Sequence, residues 1–125
     1  MKRVTGLGGV FLKSKDPKAI YAWYEKHLGL QHEHGFVSFN WREADDPEKE
    51  GTTLWTLFPQ DTKYFAPSNS PFMMNFRVEN LEELLNALRA EGVQVDDKVE
   101  SHEFGKFGWI MDPEGNRIEL WEPPR

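Results

Sequence analysis

The chain has 125 residues, enough for one domain with its own hydrophobic core. It contains no cysteine, which excludes disulfides, thiolate nucleophiles and cysteine-ligated zinc. Its formal charge of −6 disfavours nucleic-acid binding, which needs a basic face, and no apolar run approaches the ~20 residues that cross a bilayer. We therefore predict one cytoplasmic domain, residues 1–125, with neither a nucleic-acid nor a membrane partner.

The first half of the chain is predicted to contain a strand, an amphipathic helix and two further strands. The first strand is expected at residues 10–14. Asp16, followed by a proline, is typical of a helix start, and Gly29 is typical of a helix end. The apolar residues between them fall on one helical face. The two later strands are predicted at residues 37–41 and 53–58.

The second half repeats this order of elements. A strand at residues 74–78 precedes a helix that begins at Asn80 and ends near Gly92. Three more strands are predicted at residues 94–95, 107–111 and 117–121. The turn at residues 112–116 contains a proline and a glycine and joins the last two strands as a hairpin.

The two halves align with each other along the chain. Asp16 corresponds to Asn80, and Gly29 corresponds to Gly92, within one residue of a constant offset. Self-similarity over half the chain indicates a duplicated structural unit. We therefore predict an α+β fold made of two repeats, at about residues 1–62 and 63–125, and a crossover between the units at residues 64–71.

The most specific motif lies near the C-terminus. Residues 109–120 read WIMDPEGNRIEL, in which the Asp112–Asn116 turn is followed by an Ile-Glu-Leu strand. With the helix that Asp16 opens and Gly29 closes, this motif resembles the glyoxalase/bleomycin-resistance/extradiol-dioxygenase superfamily, also called the vicinal oxygen chelate superfamily. The resemblance covers nearly the whole chain. It implies two βαβββ units, an open cup-shaped mixed sheet with the helices outside, and a homodimer.

The resemblance also implies four metal-ligand positions inside the cup. They correspond here to Gly9, Thr56, Met73 and Glu119. Only Glu119 carries a ligand that a divalent ion prefers. We therefore predict that the family metal is absent and that the protein has no cofactor. An alternative metal site would combine His34, His102 and Glu119, without a recognisable spacing.

Strand alternation predicts which side chains line the cup, since neighbouring residues of a strand point to opposite faces. The predicted ligand-binding residues are Thr56, Phe58, Met74, Trp109, Arg117 and Trp121. Glu119 is the candidate catalytic residue. An ionised carboxylate in this setting needs a partner, and Arg117 stands two residues away on the same face. Glu119 is therefore either a general base or ligand anchor, or a salt-bridged carboxylate.

Two functions follow from these observations. The first is a metal-independent protein, like the bleomycin-resistance branch, that binds a small aromatic or carbonyl ligand in its cup. An aromatic content of 14 % favours such a pocket. The alternative is a lyase, isomerase or dioxygenase that uses Glu119 as a base or holds a non-standard divalent metal. A glutathione-dependent glyoxalase is less expected, because that activity relies on the missing metal ligands.

Overall fold

The computed structural model describes residues 2–124, which form two helices and seven strands. The helices are α1 (Pro17–Leu28) and α2 (Leu81–Ala90). The strands are β1 (Val4–Ser14), β2 (Val37–Arg42), β3 (Glu50–Pro59), β4 (Phe72–Val78), β5 (Gln94–His102), β6 (Gly105–Met111) and β7 (Arg117–Glu122). All seven strands form one mixed sheet in the order β2-β3-β1-β4-β7-β6-β5. The predicted α+β class with an open mixed sheet is confirmed.

The sheet is built from two similar units that meet at its centre. β1 and β4 pair antiparallel there, and each also pairs in parallel with the last strand of its own unit, β3 or β7. The second unit has three strands after its helix. The first has two, together with an isolated bridge between Glu33 and Phe36. His34 and Gly35 both have positive φ angles, which turn the chain and prevent a strand between α1 and β2.

Both helices begin where the sequence predicts. The side chains of Asp16 and Asn80 accept hydrogen bonds from the backbone N–H three residues later, at 3.2 and 3.1 Å. Gly29 follows α1 directly with φ of 69°, and Gly92 stands two residues after α2 with φ of 81°. Within residues 2–124, neither helix has the length and apolar character needed to cross a membrane.

Two strands are longer, by six residues or more, than their sequence patterns indicated. β5 was expected only at residues 94–95 but continues to His102. It is an edge strand with mostly exposed, polar residues, so it lacks the alternation that marks a half-buried strand. β1 starts at Val4 rather than Val10, through a glycine-rich segment that has weak intrinsic strand propensity.

The sheet separates two clusters of apolar side chains. On one face, α2 packs Leu81, Leu84 and Leu85 against side chains of β4 and β7. α1 covers the same face of the first unit through Tyr21, whose hydroxyl accepts a hydrogen bond from the Leu57 N–H at 2.7 Å. The opposite face, which we call the cup face, carries a second cluster. Its fully or nearly fully buried members are Phe11, Phe65, Met73 and Trp109.

Candidate functional site

Glu119 lies near the middle of the cup face and is only 2 % exposed. Its Oε1 accepts a hydrogen bond from Asn75 Nδ2 at 2.6 Å. Its Oε2 accepts one from Trp109 Nε1 at 3.0 Å and another from the Tyr64 hydroxyl. Burial raises the pKa of Glu119, while these three hydrogen bonds oppose that rise. The carboxyl group is therefore buried and held by three neutral donors.

Strand register brings two of these donors, Asn75 and Trp109, to the carboxylate. Asn75 on β4 and Trp109 on β6 stand directly opposite Glu119, one on each side of β7. Residues opposite each other on neighbouring strands point to the same face. The family resemblance had assigned a ligand position to Met73, but the register places Asn75, two residues later, beside Glu119. Sequence alternation alone could not find Asn75, because the register between β4 and β7 was unknown.

The connection between the two units covers the part of the cup face that contains Glu119. We call residues 60–71, between β3 and β4, the covering segment. Its Tyr64 bonds to Glu119, and burial together with the negative charge of Glu119 raises the pKa of the Tyr64 phenol. Phe65 is fully buried and packs edge-on against Phe58, with ring centres 5.2 Å apart. The covering segment therefore fills the space above Glu119.

Arg117 holds the covering segment in place. Its guanidinium donates to the backbone carbonyls of Tyr64 at 2.7 Å and Ala66 at 2.9 Å, and it forms an ion pair with Asp96 at 3.3 Å. It also lies over the Trp109 ring, 5.0 Å from the ring centre. The side chain thus points to the loop backbone rather than pairing directly with Glu119.

The residues at the family's metal positions do not fit a metal ion. By register, Gly9 and Leu54 of the first unit take the places of Asn75 and Glu119 in the second, so the position assigned to Thr56 falls at Leu54 instead. A glycine and a leucine supply no side-chain ligand. Both oxygens of Glu119 already accept hydrogen bonds from protein donors. The donor set is therefore one carboxylate and one amide.

The alternative site of His34, His102 and Glu119 is wrong. In the part of the chain that the structure describes, no three His, Cys, Asp or Glu side chains come together as a metal would require. His34 lies in the turn before β2, beside Phe36. His102 ends β5 and stacks on Phe107 instead, with ring centres 5.0 Å apart.

The other end of the cup face carries a column of stacked side chains. We call Trp41, Arg77, Trp121, Phe107 and His102 the aromatic column. The Arg77 guanidinium carbon lies 5.5 Å from the centre of the Trp41 ring and 5.0 Å from that of Trp121. Phe107 stacks on Trp121 with an interplanar angle of 5°, and His102 stacks on Phe107. The column crosses the sheet from β2 to β5.

The central strands make room for the column with glycines. A β-carbon at Gly6 or Gly51 would overlap the Trp41 ring. A β-carbon at Gly8 would collide with Asn75 Oδ1. Close packing on the cup face thus explains the glycines at the start of β1. The same glycines have weak strand propensity, which is why the sequence pattern did not predict this part of the strand.

Two polar groups at this end have no protein partner. Arg77 is half-buried, and within residues 2–124 its guanidinium forms neither a hydrogen bond nor an ion pair. Burial lowers the pKa of Arg77, while the negative charge of Glu43 opposes that effect. The Oδ1 atom of the buried Asn75 likewise lacks a donor among those residues. An unpaired buried amide oxygen costs about 1–3 kcal/mol.

The predicted ligand-binding residues therefore divide between several places. We call the part of the cup under the covering segment the filled end, and the part with the aromatic column the open end. Phe58 and Trp109 belong to the filled end, and Trp121 belongs to the open end. Thr56 stands opposite the cup-facing Phe11. The prediction for Met74 is wrong, because it pairs with Ile118, whose side chain packs on the α2 side of the sheet. The sequence analysis missed four of the polar or aromatic residues on this face: Trp41, Tyr64, Asn75 and Arg77.

Comparison with known proteins agrees with this architecture. A family model described as the Glyoxalase/Bleomycin resistance protein/Dioxygenase superfamily matches residues 6–120. The chain belongs to this superfamily. No curated protein sequence matches this member of the superfamily.

Solved structures of similar fold include epimerases. A Streptomyces coelicolor methylmalonyl-CoA epimerase variant in complex with 2-nitronate-propionyl-CoA has a TM-score of 0.73 and 16 % identity, over 98 % of this chain and 99 % of that one. The Mycobacterium tuberculosis methylmalonyl-CoA epimerase has a TM-score of 0.62 and 23 % identity, over 100 % of this chain and 92 % of that one. A Legionella pneumophila protein described as an NAD-dependent benzaldehyde dehydrogenase has a TM-score of 0.60 and 15 % identity, over 93 % of this chain and 98 % of that one. At these identities the likeness shows the glyoxalase-superfamily fold.

Proposed function

We propose that this glyoxalase-superfamily protein binds a small organic molecule at the open end of its cup, without the family metal. The observation that supports this most directly is the state of Glu119. Its two oxygens accept three protein hydrogen bonds, and Tyr64 and Phe65 cover it. The family's usual reaction centre is thus filled by the protein's own side chains.

The opposite end has the composition of a small-molecule site. Ligand pockets combine apolar, mostly aromatic walls with a few polar groups that orient the ligand. Here Trp41, Trp121 and Phe107 supply aromatic surface. Arg77 and Asn75 supply polar groups that residues 2–124 leave unpaired. An aromatic or carbonyl compound, as the sequence analysis expected, suits this combination.

A second candidate function is an isomerase-like proton transfer. The fold neighbours that are methylmalonyl-CoA epimerases favour it, and so does the raised pKa of Glu119. Glu119 would take a proton from a carbon next to a carbonyl group and return it to another atom of the resulting enolate, on the same face. Tyr64 would first have to leave Glu119, since it occupies the position of a substrate. Lyase or dioxygenase chemistry stays a prediction. It would need a bound metal, and the residues at the metal positions supply too few ligands to hold one.

Titration with divalent metals tests the proposal. We expect Zn²⁺, Ni²⁺, Mn²⁺ and Fe²⁺ to leave the melting temperature of the protein unchanged, because a ligand that binds only the folded state would raise it. Stoichiometric metal in the purified protein that is lost in Glu119→Gln and kept in the exposed control Glu114→Gln would contradict the proposal. Such a result would support a metal-dependent enzyme instead of a metal-independent binding protein.

The implied homodimer and the cytoplasmic location stay predictions. α1 leaves Trp23 52 % exposed and Leu28 59 % exposed on the outside of the first unit. Sedimentation velocity of the wild-type protein over a range of concentrations measures whether it forms a dimer.

A further inference from the structure

The Arg77 guanidinium lies between two aromatic rings. Its carbon is 5.5 Å from the centre of the Trp41 ring and 5.0 Å from that of Trp121. With both rings this close, a ligand has the edge of the guanidinium to bind. A carboxylate is a planar group that accepts two parallel hydrogen bonds from such an edge.

None of the five glutamates that line the cavity beside Arg77 forms an ion pair with it: Glu43, Glu50, Glu79, Glu83 and Glu122. Glu79 pairs with Lys49 at 3.6 Å, and Glu50 pairs with Arg42 at 3.2 Å. Glu43 acts on Arg77 only through its charge, without an ion-pair contact. An open cavity of about 900 Å³ borders Arg77 on this side. The protein therefore leaves a cation exposed to a cavity without a bound counter-charge from residues 2–124.

Asn75 gives a second, independent observation at the same place. Its Nδ2 atom is committed to Glu119, which leaves Oδ1 as an acceptor. Oδ1 is buried without a donor among residues 2–124 and packs over Gly8, where a β-carbon would collide with it. The Arg77 Cγ atom and the Trp121 ring close over the same place, each 3.1 Å from where a Gly8 β-carbon would lie. The stem of an unpaired cation thus packs beside an unused acceptor.

We infer that the ligand of the open end is a small organic carboxylate with a hydroxyl or N–H group next to the carboxylate. The carboxylate binds the edge of Arg77, and the neighbouring donor binds Asn75 Oδ1. The flexible Arg77 stem moves away from Gly8 to let that donor reach Asn75 Oδ1. This inference rests on the proposed function and specifies the chemical class of its ligand.

Three matched probes test the inference on the full-length protein. Phenylacetate has the carboxylate, mandelate adds a hydroxyl next to it, and phenylacetamide is neutral. Binding is followed by the indole N–H signals of Trp41 and Trp121 in ¹⁵N spectra, with probes up to about 10 mM, tenfold above a Kd of about 1 mM. We expect mandelate to bind roughly three- to tenfold more tightly than phenylacetate, as one added hydrogen bond predicts. Phenylacetamide should bind at least about tenfold more weakly than phenylacetate.

Variants assign the effect to Arg77. Arg77→Gln should abolish binding of both carboxylates, and Arg77→Lys should weaken it, because an ammonium cannot offer the planar edge. Arg89→Gln, an exposed arginine of α2, should bind as the wild-type protein does. If Arg77→Gln does not fold, Glu43→Gln gives a separate test. Removing that negative charge should strengthen phenylacetate binding and leave phenylacetamide unchanged.

The outcomes separate this inference from the proposed function. Equal binding of phenylacetamide and phenylacetate, unaffected by Arg77→Gln, would keep a small-molecule site but overturn the carboxylate. Equal binding of mandelate and phenylacetate would overturn the donor to Asn75. If none of the probes perturbs either indole signal, the inference and the proposed function at this end of the cup both fail.

Discussion

The two ends of the cup differ in how the protein satisfies its own polar groups. At the filled end, Glu119 has three donors, and Arg117 bonds to the backbone of the covering segment. At the open end, Arg77 and Asn75 Oδ1 have no partner within residues 2–124. Both ends lie on the same sheet and both are rich in aromatic side chains.

Chain connectivity explains the difference. β3 ends and β4 begins at the filled end, so the covering segment must pass over it. At the open end lie the start of β1, the end of β7 and the hairpin between β2 and β3. Within residues 2–124, these elements give Arg77 aromatic contacts but no hydrogen bond or ion pair. The connectivity of the chain therefore closes the cup beside Glu119 and leaves the unpaired groups at the opposite end.

The largest expected effect comes from emptying the filled end. Phe65→Ala removes a fully buried ring from the cluster around Trp109 and should lower the free energy of unfolding by about 3–5 kcal/mol. Phe104→Ala removes the same atoms at the open end, where the ring is 63 % exposed, and should change it by less than about 0.5 kcal/mol. Urea unfolding measures both. Similar losses in the two variants would show that the ends are not different in packing.

An intermediate effect is expected where the two ends meet, at Gly8. Gly8→Ala places a β-carbon against Asn75 Oδ1 and should destabilise the protein by about 1–3 kcal/mol. Asn75→Ala removes the obstacle, so the double variant should be more stable than the sum of the two single losses predicts. Additive losses in urea unfolding would mean that the two residues are not in contact.

A smaller effect, spread over pH, is expected from the charge of Glu119. Because its pKa is raised in the folded protein, the folded state holds this proton more strongly than the unfolded state does. Its stabilising effect is complete below the unfolded pKa of about 4.3 and is lost as pH rises through the raised value. The slope is at most about 1.4 kcal/mol per pH unit.

Glu119→Gln removes this titration. Its free energy of unfolding should fall less than that of the wild-type protein as pH rises above about 4.3. Glu114→Gln, exposed in the turn before β7, should keep the wild-type dependence. Urea midpoints at several pH values give the comparison. Parallel curves for the wild-type protein and Glu119→Gln would show that Glu119 does not titrate differently on folding.

Local chemistry in the sequence determined the elements and their order. Asp16, Asn80 and the two helix-ending glycines predicted both helices, since caps and left-handed positions depend on neighbouring residues alone. The Asp112–Asn116 turn and the motif around Glu119 predicted the final hairpin and the family. These features need no knowledge of distant parts of the chain.

Only the tertiary structure decided what the site residues contact. Met74 was placed in the cup and Asn75 was missed, because a shift of one residue in strand register reverses which face a side chain takes. Arg117 bonds to a loop 51 and 53 residues away, and Arg77 lies between tryptophans from opposite units. Such partners depend on the pairing of strands far apart in sequence, which local patterns do not encode.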